Sequence, residues 1–195
     1  MIKASHNTFS YTTPLRWWLR PFAFVGKCQS KTLWEQFRDG VRVFDLRVRK
    51  NKRGEYVIAH NAFEYVEDFT VIQTILEWLD GEADVSGERV FIRLLHEVRN
   101  KHQAKHSAQA HFAWFCEWAV REFPHLTFMG GQRVMDWQQD YEFPSYNNIE
   151  YIERHCSVCW PKYMHWCPWL FAKLKNKKIE KEFEGKRETV FMDFI

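Results

Sequence analysis

The first clear strand signal in this chain is the run Val41-Arg42-Val43-Phe44-Asp45-Leu46-Arg47-Val48. It is rich in β-branched and apolar residues and carries Asp45 and Arg47 toward its end, which predicts a buried strand. A second short strand is predicted over Tyr56-Val57-Ile58-Ala59-His60, after a turn at Lys52-Arg53-Gly54. Both predicted strands therefore carry polar, chemically competent side chains close to their carboxyl ends.

Strands and helices alternate along the rest of the chain, which predicts a parallel sheet, either open or closed into a barrel. A complete eightfold barrel typically needs about 200 residues or more. We therefore expect an α/β fold, a compact TIM-type barrel that is incomplete or distorted, in a single domain over residues 1–195. The further predicted elements are a helix over Val66 to Leu79 closed by Asp80-Gly81, a strand over Arg89 to Leu95, a helix over Ala108 to Phe123 stopped by Pro124, and strands over Leu126 to Met129 and Thr189 to Ile195.

The composition is that of a globular protein, with 46% hydrophobic and 27% charged residues. No run of about 18 apolar residues is present, which excludes a membrane-spanning helix. The first residues lack the apolar run of a signal peptide. The five cysteines are an odd number for a disulfide framework, which favours a reducing compartment. We therefore expect a cytoplasmic or peripheral-membrane location, with secretion left open.

Several predicted strands end in the same manner, with a polar residue near the end of an apolar run. In a parallel barrel these carboxyl ends converge on one face, where active sites are built. A single histidine is more often a surface or hydrogen-bonded residue, but the recurrence of the pattern predicts a site. The residues concerned are Asp45, Arg47, His60, Glu97 and Asp193.

Five segments, taken in order, carry a family resemblance. They are Ser5-His6-Asn7-Thr8-Phe9, Gly40-Val41-Arg42-Val43-Phe44-Asp45-Leu46-Arg47, Ile58-Ala59-His60, the run from Gly87 to Glu97, and Val190-Phe191-Met192-Asp193-Phe194. Each motif alone is weak, but the ordered set resembles the catalytic X domain of phosphatidylinositol-specific phospholipase C, in its bacterial, metal-independent form.

The resemblance implies a two-stage phosphotransfer at a phosphatidylinositol-type lipid or inositol phosphate. His6 would be the general base and His60 the general acid, because a histidine pKa lies near neutrality. Asp193 would accept the second ring N–H of His6 and fix its tautomer. Arg47 would supply the positive charge that a bound Ca²⁺ supplies in related eukaryotic enzymes, so no cofactor or metal is expected.

The chain also departs from the family pattern. Asn7 and Asp45 match two positions of the eukaryotic calcium site, but Arg47 and Leu95 replace carboxylates elsewhere in it. The metal-independent bacterial enzymes usually carry Asp where this chain has Asn7, and that acid supports the second histidine. Glu97 corresponds to a contact with inositol hydroxyls, and Arg133 is a candidate for a second contact with the ring.

Two other functions remain open from the sequence. One is a metal-dependent glycerophosphodiesterase-like barrel, which would need clustered carboxylates where Arg47 stands. The other is a lipid-headgroup-binding module with decayed chemistry, favoured by Asn7 and opposed by the two histidines, Arg47 and Asp193. Nucleic acid is not an expected partner, because basic residues are not grouped with aromatic ones in any known motif.

Two aromatic or cysteine-rich stretches have competing interpretations. His155-Cys156-Ser157-Val158-Cys159 and His165-Trp166-Cys167 contain enough soft ligands for zinc. Because no second Cys-x2-Cys pair follows, buried cysteines are the favoured interpretation. The pair Trp17-Trp18 and the region from Trp160 to Trp169, near Lys173 to Lys178, could contact a membrane surface or pack in the core.

Overall fold

The computed structural model describes residues 1–66, 68–97, 105–130, 138–139, 141, 143, 151–153 and 168–195. In chain order its elements are β1 (Ile2–Ser5), a 3-10 helix (Trp17–Phe22), α1 (Ala23–Gly26), α2 (Leu33–Arg38), β2 (Val41–Lys50), β3 (Tyr56–His60), β4 (Phe63–Glu64), α3 (Phe69–Ser86), β5 (Val90–Glu97), α4 (Lys105–Glu122), β6 (Leu126–Gly130), β7 (Gln138–Gln139), β8 (Tyr151–Glu153), α5 (Pro168–Phe183) and β9 (Thr189–Met192).

The chain divides into two compact units. Unit 1 comprises Met1–Asp45 and Asn148–Ile195, and unit 2 comprises Leu46–Asn147. The expectation that residues 1–195 act as one catalytic domain stays a prediction. The mixed α/β class predicted from the sequence is confirmed by the alternation of strands and helices. Of the helices in the described ranges, none is long and apolar enough to cross a membrane.

Unit 1 is built on parallel strands. β1 pairs in parallel with the first part of β2 and with β9, in the registers Ser5↔Phe44 and Ser5↔Met192. β8 pairs in parallel with β9. Because parallel neighbours end at the same edge of a sheet, the residues that follow β1 and β9 emerge side by side.

A hydrophobic cluster fixes helix α5 on this sheet. Phe171, Ile179 and Phe183 lie on one helical face, because successive members of this set are about two turns and about one turn of helix apart. They form a buried cluster with Val190 and Met192 of β9. Apolar contacts with α5 therefore fix the end of β9, immediately before Asp193.

Unit 2 is partly antiparallel, which corrects the expectation of a purely parallel sheet. β3 pairs antiparallel with the last part of β2, in the register Val48↔Ile58. The connection is a tight hairpin in which Gly54 adopts φ +85° and Asn51 N–H donates to Glu55 O at 2.9 Å. A connection this short can join only antiparallel strands. β5, in contrast, pairs in parallel with β6 and is buried along its whole length.

Helix α3 begins and ends later than the sequence predicts. Asp68 caps it by accepting the Val71 N–H at 3.2 Å, so the helix starts at Phe69 instead of Val66. Asp80-Gly81 does not close it, because a glycine inside a helix costs only about 1 kcal/mol. The helix ends at Ser86, where Gly87 takes the left-handed conformation at φ 66°.

Candidate active site

The centre of the site in unit 1 is a buried pair of His6 and Asp193. His6 Nδ1 lies 2.6 Å from Asp193 Oδ1, and both side chains are at most 1% exposed. The two residues directly follow the paired positions Ser5 and Met192 of neighbouring parallel strands. The hydrogen bond predicted from the sequence is therefore present, and His6 makes it through Nδ1.

Gln29 holds the two strand ends that carry this pair, and sequence reasoning missed it. Its side chain is fully buried, and its Nε2 donates to His6 O at 3.0 Å and to Met192 O at 2.9 Å. Ser10 in turn accepts the backbone N–H groups of Cys28 and Gln29 at 2.8 and 3.0 Å. A buried glutamine far from any motif gives no sequence signal, because its role depends on long-range contacts.

Asp45 and Asn7 form the next part of unit 1. Asp45 Oδ2 accepts the Asn7 N–H at 3.0 Å, and Asp45 O accepts the Thr8 N–H at 3.1 Å. The Asn7 amide donates toward Cys28 Sγ at 3.6 Å. Asp45 therefore fixes the loop that begins immediately after His6, and Asn7 turns its amide toward a sulfur atom.

In unit 2 the candidate residues meet at Glu97, which ends β5 and is 2% exposed. Glu97 Oε1 lies 3.4 Å from Arg47 Nη1 and 3.4 Å from His60 Nδ1. Glu97 Oε2 accepts the Asn61 N–H at 2.5 Å. One buried carboxylate thus contacts a guanidinium, an imidazole and a backbone amide. Sequence reasoning named three of these four residues but missed Asn61.

The electrostatics keep Glu97 ionised. Burial by itself raises the pKa of a carboxyl group, but the hydrogen bond and charge of His60, the charge of Arg47 and the Asn61 N–H outweigh it. Together they lower the pKa of Glu97 from 4.5 to about 2. At neutral pH the side chain of Glu97 is therefore an anion, and it lies beside the guanidinium of Arg47.

A shared backbone feature follows three of the predicted site residues. Asn7, Asn61 and Phe194 have φ of 49°, 50° and 51°, and they are the non-glycine residues with positive φ in the described ranges. They directly follow His6, His60 and Asp193. Such a conformation is rare outside glycine, above all for a bulky residue, and often occurs at functional sites. It also explains why β9 stops at Met192 and does not extend to Ile195 as predicted.

Part of the predicted site meets the expectation that its residues lie near the carboxyl ends of strands. His60 and Glu97 end their strands, and Asp193 follows β9. Asp45 and Arg47 instead lie in the interior of β2, which continues to Lys50, so the expectation that they lie near the carboxyl end of a strand was wrong. The physical reason is the hairpin, because pairing with β3 extends the β2 ladder past Arg47.

Some predicted residues lie outside the described part of the chain. They are Arg133, the cysteine stretch with His155, Cys156, Cys159, His165 and Cys167, and the aromatic residues Trp160 and Trp166. Among the described residues, His6, Cys28 and Asp193 form a group whose candidate metal-binding atoms all lie within 4.8 Å of one another. Cys28 was not singled out by the sequence, because no motif surrounds it.

Comparison with known proteins assigns the chain to a family. The sequence model of the family named phosphatidylinositol-specific phospholipase C, X domain, matches residues 1–115 of this chain. The matched range includes His6, Arg47, His60 and Glu97. The match covers more than half of the chain, and the chain therefore belongs to the phosphatidylinositol-specific phospholipase C X-domain family. No curated protein sequence matches the chain at a significant level.

Solved structures share the fold at low sequence identity. The phosphatidylinositol-specific phospholipase C from Listeria monocytogenes superposes with a TM-score of 0.63 at 14% identity, covering 99% of this chain and 87% of the other. A histidine-to-tyrosine mutant of the Staphylococcus aureus enzyme gives 0.66 at 11% identity, covering 99% and 84%. These enzymes have a TIM-barrel-like fold, which confirms the predicted fold class.

Proposed function

We propose that the protein cleaves phosphatidylinositol-type lipids, or related polyol phosphodiesters, by general acid–base catalysis through a cyclic phosphate. The observation that carries the proposal is the buried His6–Asp193 hydrogen bond of 2.6 Å, in a chain of this family. A histidine whose Nδ1 is held by a buried carboxylate is a positioned base. The substrate class is that of the phospholipases C with which the chain shares its fold.

In the first step His6 acts as general base. Its Nε2 takes the proton of the inositol 2-hydroxyl, and that oxygen attacks the phosphorus of the same molecule. One P–O bond forms while the bond from phosphorus to the diacylglycerol oxygen breaks. Attack within one molecule is favoured because nucleophile and electrophile are already tethered. Asp193 stabilises the imidazolium that forms on His6.

His60 acts as general acid and gives its proton to the departing diacylglycerol oxygen. Its side chain is 13% exposed, whereas that of His6 is 1% exposed. In a second step water opens the cyclic phosphate, with the two histidines exchanging roles.

Glu97 holds Arg47 and His60 and thereby replaces the carboxylate that bacterial enzymes carry where this chain has Asn7. The 3.4 Å separations from Glu97 Oε1 to Arg47 Nη1 and His60 Nδ1 support this role. In this proposal Glu97 orients the imidazole of His60 from its Nδ1 side. Arg47 offers planar donors to the phosphoryl oxygens, where charge develops in the transition state. Glu97 also stays a candidate for an inositol hydroxyl contact.

The described residues do not fit a calcium site. Calcium takes six to eight oxygen ligands, many of them anionic. Asp45 Oδ2 already accepts the Asn7 N–H, and the Glu97 carboxylate is held beside a guanidinium. Leu95 offers no ligand atom. Arg47 is therefore the proposed electrophilic group.

The test of the proposed function is incubation with radiolabelled phosphatidylinositol and separation of the products. We expect the 1,2-cyclic inositol phosphate first and the linear phosphate later. Release of glycerol phosphate only when a divalent metal is added would support the glycerophosphodiesterase-like alternative. Binding of lipid headgroups without any product would support the decayed binding module.

Replacing Glu97 by Gln is expected to change how stability depends on pH. Because the pKa of Glu97 is lowered from 4.5 to about 2, its contribution is complete above about pH 5 and is lost as the pH falls toward 2. The shift corresponds to about 3 kcal/mol. Urea unfolding at several pH values should show that the stability difference between wild type and Glu97→Gln shrinks as the pH falls. A difference that is constant with pH would contradict this account. Glu88→Gln, at an exposed carboxylate, is the control.

An aromatic patch in unit 1 supports contact with a membrane surface. It consists of Trp17, Trp18, Phe22 and Phe24, which are 72%, 53%, 57% and 55% exposed. The 3-10 helix that carries the first three buries none of its residues. Trp is favoured at membrane interfaces. Membrane binding has also been studied for the phosphatidylinositol-specific phospholipase C from Staphylococcus aureus. Peripheral attachment to a membrane is thus the proposed location.

The double change Trp17→Ala and Trp18→Ala is expected to weaken binding to vesicles of phosphatidylcholine and phosphatidylinositol. Removing the two side chains should cost about 2 kcal/mol of the binding free energy that apolar burial supplies, which corresponds to more than tenfold weaker partitioning onto the vesicles. Sedimentation with sucrose-loaded vesicles measures it. Trp114→Ala, at a residue 60% exposed on α4, is the matched control. An equal loss of vesicle binding in Trp114→Ala, or no loss in the double variant, would contradict a membrane-contacting role for the aromatic patch.

A further inference from the structure

The group His6, Cys28 and Asp193 combines a nitrogen, a sulfur and an oxygen ligand in the interior of unit 1. Their candidate ligand atoms lie within 4.8 Å of one another, and the three residues are 1%, 3% and 1% exposed. Tetrahedral bonds of about 2.0–2.3 Å place ligand atoms about 3.3–3.7 Å apart. Small side-chain rotations would therefore bring the three atoms to the spacing of a tetrahedral metal.

The thiol of Cys28 takes part in hydrogen bonds, and its Sγ donates to Gly26 O at 3.8 Å. The Asn7 amide donates toward Cys28 Sγ at 3.6 Å. An amide donor at position 7 therefore contacts the sulfur of this group, and the thiol proton must leave when a metal binds, because the thiolate is the ligand.

We propose that His6, Cys28 and Asp193 form a binding site for Zn²⁺ or a similar thiophilic divalent cation. Binding forms one bond from the metal to each residue and leaves the fourth position to water. The thiol proton, and any proton on the ring nitrogen that binds, pass to solvent. The sulfur ligand selects against Ca²⁺ and Mg²⁺, which prefer oxygen.

The bound cation inhibits the proposed reaction, because it occupies the imidazole that acts as base. Metal binding itself does not depend on the proposed function, whereas the inhibition rests on it. The two are therefore measured separately. Zinc should act as an inhibitor that chelator reverses, and calcium and magnesium should not inhibit.

The experiment uses the full chain with Cys156→Ser and Cys159→Ser in the background, so that those ligands cannot contribute. Equilibrium dialysis with Zn²⁺ should show one bound equivalent, and Co²⁺ in its place should give a thiolate-to-metal charge-transfer band. Cys28→Ser should lose both the equivalent and the band. Cys116→Ser is the matched control, since Cys116 is buried and lies in unit 2 outside the cluster.

Retention of the equivalent and the band in Cys28→Ser, or no binding in the parent protein, would overturn the proposal. Cleavage of phosphatidylinositol is assayed in parallel with chelator and with zinc. Cys28→Ser should keep the chelated rate and lose the inhibition by zinc. A protein that binds zinc through Cys28 but cleaves no phosphodiester would refute the proposed function and leave the metal site standing.

Discussion

Replacing His6 by Ala is expected to lower the turnover of phosphatidylinositol by at least about 10²-fold, the scale of general acid–base catalysis. The reason is that His6 Nε2 is the proposed proton acceptor, with Nδ1 held 2.6 Å from Asp193 Oδ1. Asp193→Asn should cost between about 10² and 10⁴ in rate, because an amide can stabilise the wrong tautomer. Steady-state assays on lipid dispersed in detergent measure both losses.

The control for these variants is His125→Ala, since His125 is an exposed histidine on unit 2 with a side chain 46% exposed. It should keep wild-type turnover. Circular dichroism and thermal unfolding of each variant check that a buried substitution has not unfolded the protein. Full activity in folded His6→Ala would contradict the assignment of the base.

The same series distinguishes base from acid. A substrate with a nitrophenol leaving group needs little protonation when it departs, so His60→Ala should lose less rate on it than on the natural lipid. His6→Ala should lose about as much on both substrates, because the attacking hydroxyl is unchanged. The opposite pattern would exchange the roles of the two histidines.

Replacing Arg47 by Ala is expected to cost roughly 3–4 kcal/mol of transition-state stabilisation, comparable to removing one preorganised oxyanion donor. That corresponds to about 10²- to 10³-fold in rate. Arg47→Lys should recover only part, because an ammonium lacks the two-pronged geometry of a guanidinium. Steady-state hydrolysis of a chromogenic inositol phosphodiester in excess chelator measures both.

The matched control is Arg42→Ala, which removes the same charge from the same strand. Arg42 Nη1 donates to the Phe37 and Val41 carbonyls, and no site role is assigned to it. Because Arg47→Ala leaves Glu97 without one of its partners, Arg47→Lys keeps the comparison interpretable if the alanine variant is unstable. Activity abolished by chelator and restored by calcium would show that Arg47 is not the electrophile.

Local patterns in the sequence predict most of the secondary structure. The apolar spacing in α3 and the β-branched run of β2 are signals within a few residues, and both elements are present. The turn at Lys52 to Gly54 after β2 is also predicted by the sequence. The antiparallel pairing of β2 with β3 that this short connection requires was missed. The errors in the predicted secondary structure concern the ends of helices and strands. One capping hydrogen bond at Asp68 moves the start of α3, and one positive φ at Phe194 moves the end of β9.

The family and the kinds of reactive side chain are predictable from the sequence alone, because ordered motifs such as Ser5-His6-Asn7-Thr8-Phe9 and the identity of Arg47 and His60 require no coordinates. Which of these groups meet depends on how the whole chain folds. Glu97 reaches His60 from 37 positions away and Arg47 from 50, and Cys28 joins a pair whose members are 187 positions apart. Such contacts follow from strand pairing and burial over the whole chain, and no local pattern encodes them.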